Sequence, residues 1–379
     1  MRFLGRLNQR FGEGIRDAVL RDLAEDRFSR PNRISLVAKG MALVVLATPV
    51  LLMLAGVALL ALTWPGIPGA ILGALLIGAG FYLRPKKRAN TAETYRAEDL
   101  PQLFQVLDQI SDELNADQVD GVHILAHPNA YMAVFAGGER VLGLGAPLWL
   151  GLAPDERLAL LSHEVAHLAV NDPARFSLPA RALEVLGRWS DLFRPPEVVD
   201  QSTGVAIAFD DRGLLAQMIS GSFGALFDGL AFLYERLIFA DSQRAEYYAD
   251  LQAAYVAGAD GKARLLDKAN LMPLAEEALA TTYYDGRKHV PVFAQMAEVL
   301  TAPDPEQAKN ARARAQEELL SVDKTHPPTR YRQDVVASLP HRRPGVPLAS
   351  EIDWPGLEAE LAPAFAQAEE RVLSRMIRQ

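Results

Sequence analysis

The chain of 379 residues contains no cysteine. That absence excludes a disulfide framework, a thiolate nucleophile and any cysteine-ligated metal site. A basic excess is missing too: 39 Lys and Arg stand against 47 Asp and Glu, a formal net charge of −8. With no net positive field to neutralise phosphates, the composition argues against nucleic acid as the main partner. Histidine is scarce, seven in all, so a pair of them in a recognisable spacing carries weight. The last absence is local: residues 40–83, a run of 44 positions, hold no charged side chain.

One transmembrane helix takes about 20 apolar residues, so this run is too long for one span and suits two. Pro65, Gly66, Pro68 and Gly69 supply the break, because neither residue type sustains a helix interior. The expected spans are 41–62 and 67–83, with Trp64 and Tyr82 suited to the interfaces. Ala74 and Gly78 make a small-xxx-small step at which the two helices could approach closely. A cleaved secretory signal does not fit, since 39 residues precede the run and no small-residue cleavage site follows it. Arg30, Arg33 and Lys39 flank one end, and Arg84, Lys86, Lys87 and Arg88 the other, while the turn is uncharged. By the positive-inside rule both ends are cytoplasmic. The expectation is a multi-pass protein of the cell membrane, with the lipid bilayer as a partner and everything after the hairpin on the cytoplasmic side.

The fold class expected is α+β, predominantly helical, with a small β-sheet. Residues 1–39 form an arm on the cytosolic side; Phe11, Ile15, Val19 and Leu20 suit either an interfacial amphipathic helix or a solvated arm. After the hairpin (40–88), Leu100, Leu103, Phe104, Leu107 and Ile110 predict a helix over 99–114. Short strands are expected over 121–126, 131–135 and 141–144. Pro154, Asp155 and Glu156 open a helix expected to run to about residue 170, before Asn171, Asp172 and Pro173. Residues 193–212 have no helical period and read as a loop that could serve as a lid. Residues 213–240 are strongly apolar, but their longest uncharged run is 15 residues, short of a span. They read as core or interfacial helices. A helix over 242–256 stops at Gly258. The main domain is expected over 89–345, and 346–379 is a C-terminal tail with a peripheral helix over 356–377.

His163, Glu164 and His167 form an H-E-x-x-H motif inside the helix that starts at Pro154. The i, i+4 spacing puts both imidazoles on one helix face, where two neutral rings can share a tetrahedral zinc ion. Glu164 is close enough to take a proton from a zinc-bound water without ligating the metal. A catalytic zinc needs a third protein ligand and an open position. The metzincin pattern is absent, because it requires glycine at Val170 and histidine at Pro173. A carboxylate on a second helix is the better candidate. Glu246 and Asp250, four apart, can serve as ligand and as acceptor for a ligand histidine's other N–H.

The set of His163–His167, Glu246-Tyr-Tyr-Ala-Asp250, and Thr325-His326-Pro327-Pro328 with Arg332 resembles the HtpX-like membrane zinc proteases. The same family includes the type I prenyl-protein CAAX proteases. Asn129-Ala130-Tyr131 and Asn171-Asp172 also match, so the resemblance spans about residues 100–332. It implies a gluzincin fold, one zinc ion per chain, and endopeptidase action on unfolded or membrane polypeptides. By that resemblance Glu246 is the third zinc ligand and Asp250 supports it. His326 would stabilise the tetrahedral intermediate, Arg332 would assist it, and Asn129 would hold substrate backbone. Ala245 stands where the family usually has a basic residue, with Arg244 one position further back. Two other readings are a membrane-anchored binding or scaffold module with a non-catalytic zinc, and a CAAX-type protease. An intact Glu164 argues against the first, and two clear spans are too few for the membrane chamber of the second.

The charge flanks yield a topology test. A reporter fused after Arg88 should report from the cytosol, and one inserted at Gly66 from the opposite side. An external signal from the Arg88 fusion would reverse the orientation.

Overall fold

The computed structural model describes residues 2–25, 33–86, 89–169, 174–194, 197–199, 206–208, 213–284, 291–317, 327–339 and 348–377. In chain order, α1 (Arg2–Ala24) is followed by α2 (Arg33–Thr63) and α3 (Ile67–Leu83). Next come α4 (Pro101–Leu114), the strands β1 (Gly121–Leu125), β2 (Ala130–Val134) and β3 (Arg140–Gly145), then α5 (Ala146–Leu150) and α6 (Pro154–Ala166). After α7 (Ala174–Phe193), β4 (Glu197–Val199) pairs with β5 (Ala206–Ala208), and α8 spans Leu214–Ala257. The remaining helices are α9 (Ala259–Ala269), α10 (Met272–Tyr284), α11 (Val292–Thr301), α12 (Pro305–Glu317), α13 (Thr329–Ala337), α14 (Leu348–Glu351) and α15 (Trp354–Ile377). The fold is predominantly helical with a small three-stranded sheet, as the sequence pattern suggests.

Several elements differ from expectation. Helix α6 ends at Ala166 rather than near 170, and His167 is its C-cap residue. The described parts of the expected loop 193–212 include an antiparallel pair of short strands. Residues 213–240 and 242–256 are one helix of 44 residues, because neither proline nor glycine interrupts the chain between them. Its first part is buried on one face only: Tyr234 and Ala240 are buried, whereas Leu215, Met218, Ile219, Leu226 and Leu233 are exposed. The glycines at the α2–α3 contact are Gly73 and Gly80, whose added Cβ atoms would meet backbone oxygens of Gly56 at 2.9 Å and Pro49 at 2.5 Å. Gly78 faces open space and Ala74 is exposed, so the expected Ala74–Gly78 step is not the contact.

Two units emerge. The smaller comprises residues 31–87 and 174–241. Ala38 and Ala42 of α2, Ala182 and Leu186 of α7, and Tyr234 of α8 make its buried cluster. Trp189 and Phe193 stack on Phe227 at centroid separations of 5.0 and 5.8 Å. Among the described residues, one helix is long and apolar enough to cross a membrane, Ile34–Thr63. Ile67–Leu83 is apolar but shorter.

The larger unit comprises residues 1–30, 88–173 and 242–379. Its sheet has the order β1-β3-β2, with β1 parallel and β2 antiparallel to β3. β2 is therefore an edge strand among the described residues. Tyr131 lies over Gly143, where a Cβ would come within 2.4 Å of the ring, so only glycine fits. Helix α4 contributes Leu103, Leu107 and Ile110, all fully buried. Helix α1 is neither a solvated arm nor bare: Val19 is buried with Tyr247, Tyr331 and Val335. Helix α15 is likewise no peripheral tail, since Leu357, Leu361, Ala364 and Phe365 are buried and it packs on α4 and β1. Its Glu360 accepts the orphan N–H groups of Gln102 and Leu103 at 2.8 and 2.9 Å, capping α4.

Removing that cap should lower stability. Glu360→Ala should cost about 1 kcal/mol in denaturant unfolding of the full chain, whereas the exposed Glu370→Ala should stay within about 0.5 kcal/mol of the parent. Equal effects would remove the capping role.

Candidate metal site and cavity

Leu158, Leu161 and Val165 fix α6 in the core and are fully buried. That anchoring carries His163 and Glu164 inward as well, to 4 and 5% exposure. Although His167 is the cap residue, its backbone remains right-handed (φ −64°, ψ −23°), so the i, i+4 relation persists. The two imidazoles meet edge to face with centroids 5.0 Å apart. Helix α8 brings Glu246 against both: its carboxylate oxygens lie 3.4 Å from His163 Nε2 and 3.5 Å from His167 Nε2. One ligand atom from each of the three residues falls within 4.8 Å of the others.

This donor set fits a zinc ion. Two donors each about 2.05 Å from a tetrahedral centre are about 3.3 Å apart, close to the two nitrogen–oxygen separations here. Two imidazoles and a carboxylate, without sulfur, are also the ligands of a catalytic rather than a Cys-rich structural site.

Behind His163 lies Asp250, fully buried. Its Oδ1 is 3.1 Å from His163 Nδ1, so Nδ1–H donates to it and the Nε2 lone pair is left toward the cluster. Oδ1 also accepts from Lys262 Nζ at 2.8 Å and Arg332 Nη2 at 2.6 Å, and Oδ2 from Arg332 Nε at 2.8 Å. Burial alone would raise the Asp250 pKa, but Arg332 and Lys262 hold it well below the ordinary carboxylate range. Burial pushes the Lys262 ammonium down, with Asp250 opposing. For Arg332 burial is outweighed by Asp250, and its pKa is raised. Arg332 Nη2 also reaches His163 Nε2 at 3.3 Å and Glu246 at 3.6 Å.

His163, Glu164, Asn129 and Arg332 line one cavity of about 320 Å³. Asn129 is exposed and its side-chain oxygen accepts from the Ala130 N–H at 2.9 Å. Helix α6 packs on the edge strand β2 beside it. His326, Asn171 and Asp172 lie outside the described residues; Pro327 and Pro328 line the cavity. Lys262 is a member that sequence reasoning missed. It shares an i, i+3, i+4, i+7 face with Leu265, Leu266 and Ala269, and a lysine inside an apolar stripe was the available signal.

Residues 97–339 match the family model described as peptidase family M48. The chain is also similar to a curated protein, "Protease HtpX homolog" of Archaeoglobus fulgidus. The two are 25% identical over 315 residues, which cover 79% of this chain and 86% of the relative. Comparison with solved structures gives no match.

The charge cluster makes an asymmetric prediction. Asp250→Asn strands two buried cations and should cost about 3–5 kcal/mol in unfolding of the full chain. Lys262→Met leaves Asp250 paired with Arg332 and should cost clearly less. The reverse order would show that Lys262, and not Asp250, holds the cluster.

Proposed function

The chain belongs to peptidase family M48, the family of HtpX-like metalloproteases, and from that membership we propose a membrane-anchored, gluzincin-type zinc endopeptidase that hydrolyses unfolded or membrane polypeptides. The observation that carries the reading is the cluster of His163, His167 and Glu246, of which His163 stands with buried Glu164 on the wall of one cavity. Zinc held by those three residues would polarise the scissile carbonyl and make water nucleophilic at neutral pH. Glu164 takes the proton of the attacking water and delivers it to the leaving amine. Asp250 keeps His163 in the Nδ1–H tautomer, and Arg332 fixes Asp250 through two hydrogen bonds. Asn129 stands where β2 begins and would hold substrate backbone as the extended chain pairs with that edge. Main-chain pairing favours unfolded segments over any one sequence. His326 is assigned the oxyanion on the resemblance alone.

The α2–α3 pair is proposed as a transmembrane hairpin with both ends in the cytoplasm, which puts the protease domain on that side. Exposed Leu51, Leu54, Ile71 and Leu75 support lipid contact, since water is a poor solvent for such a surface.

Zinc analysis and casein hydrolysis together test the assignment. Glu164→Gln should retain zinc and lose about 10²–10⁴-fold in turnover. His326→Ala should also retain zinc and lose about 10²–10³-fold in kcat. Glu246→Ala should lose the metal. Full activity in Glu164→Gln would overturn the general base, and full zinc in Glu246→Ala would overturn the third ligand.

A further inference from the structure

We propose that the cavity beside Glu164 is a side-chain pocket that selects a large apolar residue next to the scissile bond; this inference rests on the peptidase reading. The walls come from separate helices: Leu160 of α6, Leu265 and Leu266 of α9, and Met272 of α10, with Pro327 and Pro328 also in the lining. His163 and Glu164 stand on the same wall system, so a chain positioned for attack passes its opening. An extended substrate points alternate side chains to opposite faces, so one neighbour of the scissile bond is directed inward.

Size and charge then choose the occupant. About 320 Å³ lies in the range of small-ligand sites, which is ample for a leucine, methionine or phenylalanine side chain. The cationic groups of the wall, Lys262 and Arg332, are already engaged at 2.8 and 2.6 Å with Asp250. Both are committed to Asp250 and the Glu164 carboxylate shares the wall, which disfavours an acidic side chain, so Leu160, Leu265, Leu266 and Met272 select by burial of apolar surface. Two short residues on different helices, Ala269 of α9 and Ala315 of α12, also line it, and a larger side chain at either would take up part of its volume.

The test uses the full-length chain in detergent with zinc, β-casein as substrate, and mass spectrometry to map the cuts. Leu, Met and Phe should dominate one fixed side of the scissile bond. A peptide spanning one such cut should be preferred over its Leu→Ala and Leu→Asp versions by at least about 10-fold in kcat/KM. Ala269→Phe and Ala315→Leu add bulk to the lining from two different helices, and each should bring the Leu-to-Ala ratio to one or below. Zinc content and melting temperature would be measured beside them, so that a variant that fails to fold is replaced by the other. Cuts without side-chain preference, or an unchanged ratio in a folded, zinc-loaded variant, overturn the pocket alone. Casein left intact by the zinc-loaded parent overturns the peptidase reading together with it.

Discussion

The carboxylate of Asp250, fully buried between two cations and an imidazole, is the constraint from which the site is built. A lone charge in such a place would be prohibitive, and Arg332 or Lys262 alone would be equally unwelcome there. Together they satisfy one another, and the geometry that satisfies them also orients His163. Helices α6, α8, α9 and α13 each contribute one participant: His163, Asp250, Lys262 and Arg332. The mutual position of four helices is thereby tied to one pair of oxygens. Such a cluster is weak evidence for net stability, because burial of each ion opposes the gain. Its clearer product is a defined geometry.

A second layer supports the first from outside. Tyr247 and Tyr331, the neighbours of Glu246 and Arg332 in sequence, are buried against Val19 of α1. Arg16 lies over the Tyr331 ring at 4.8 Å and pairs with Asp334 at 3.1 Å. Arg244, two residues before Glu246, pairs with Asp22 of α1 at 2.6 Å. The basic residue displaced by one position in this chain's motif thus has a partner supplied by its own N-terminal helix. Packing of this kind restricts the backbone on which the ligand side chains stand.

The two halves of the His163, His167 and Glu246 cluster were legible in sequence because each half is a local pattern, while joining them across about 80 residues rested on the family resemblance. His163 and His167 are one helical turn apart, and Glu246 and Asp250 are as well. The three strands and α4 were legible for the same reason, through short periodic patterns bounded by turn residues. What escaped was non-local. The burial of α15 depends on α4 and β1, some 250 residues away, so an alanine- and glutamate-rich helix gave no hint of it. The continuity of α8 across residues 240–242 escaped because a change in hydropathy there resembled a boundary, although no helix-breaking residue marks one. The contact glycines of α3 were misjudged because small residues occur on more than one face of that helix, and only packing against α2 selects Gly73 and Gly80.

Helix α9 couples two properties usually treated apart. The face that carries Lys262 to Asp250 is the face that carries Leu265, Leu266 and Ala269 to the cavity. Its close approach to α6 is fixed at Gly261, where a Cβ would lie 3.2 Å from Asp155, and by the Lys268 ammonium on Glu156 at 2.6 Å. A dense interior passes such displacements on instead of absorbing them. A shift of α9 that reshaped the apolar cavity would therefore move Lys262 against the oxygen that orients His163. The shape of the apolar cavity and the orientation of His163 thus depend on one helix position, and neither is free to vary without the other.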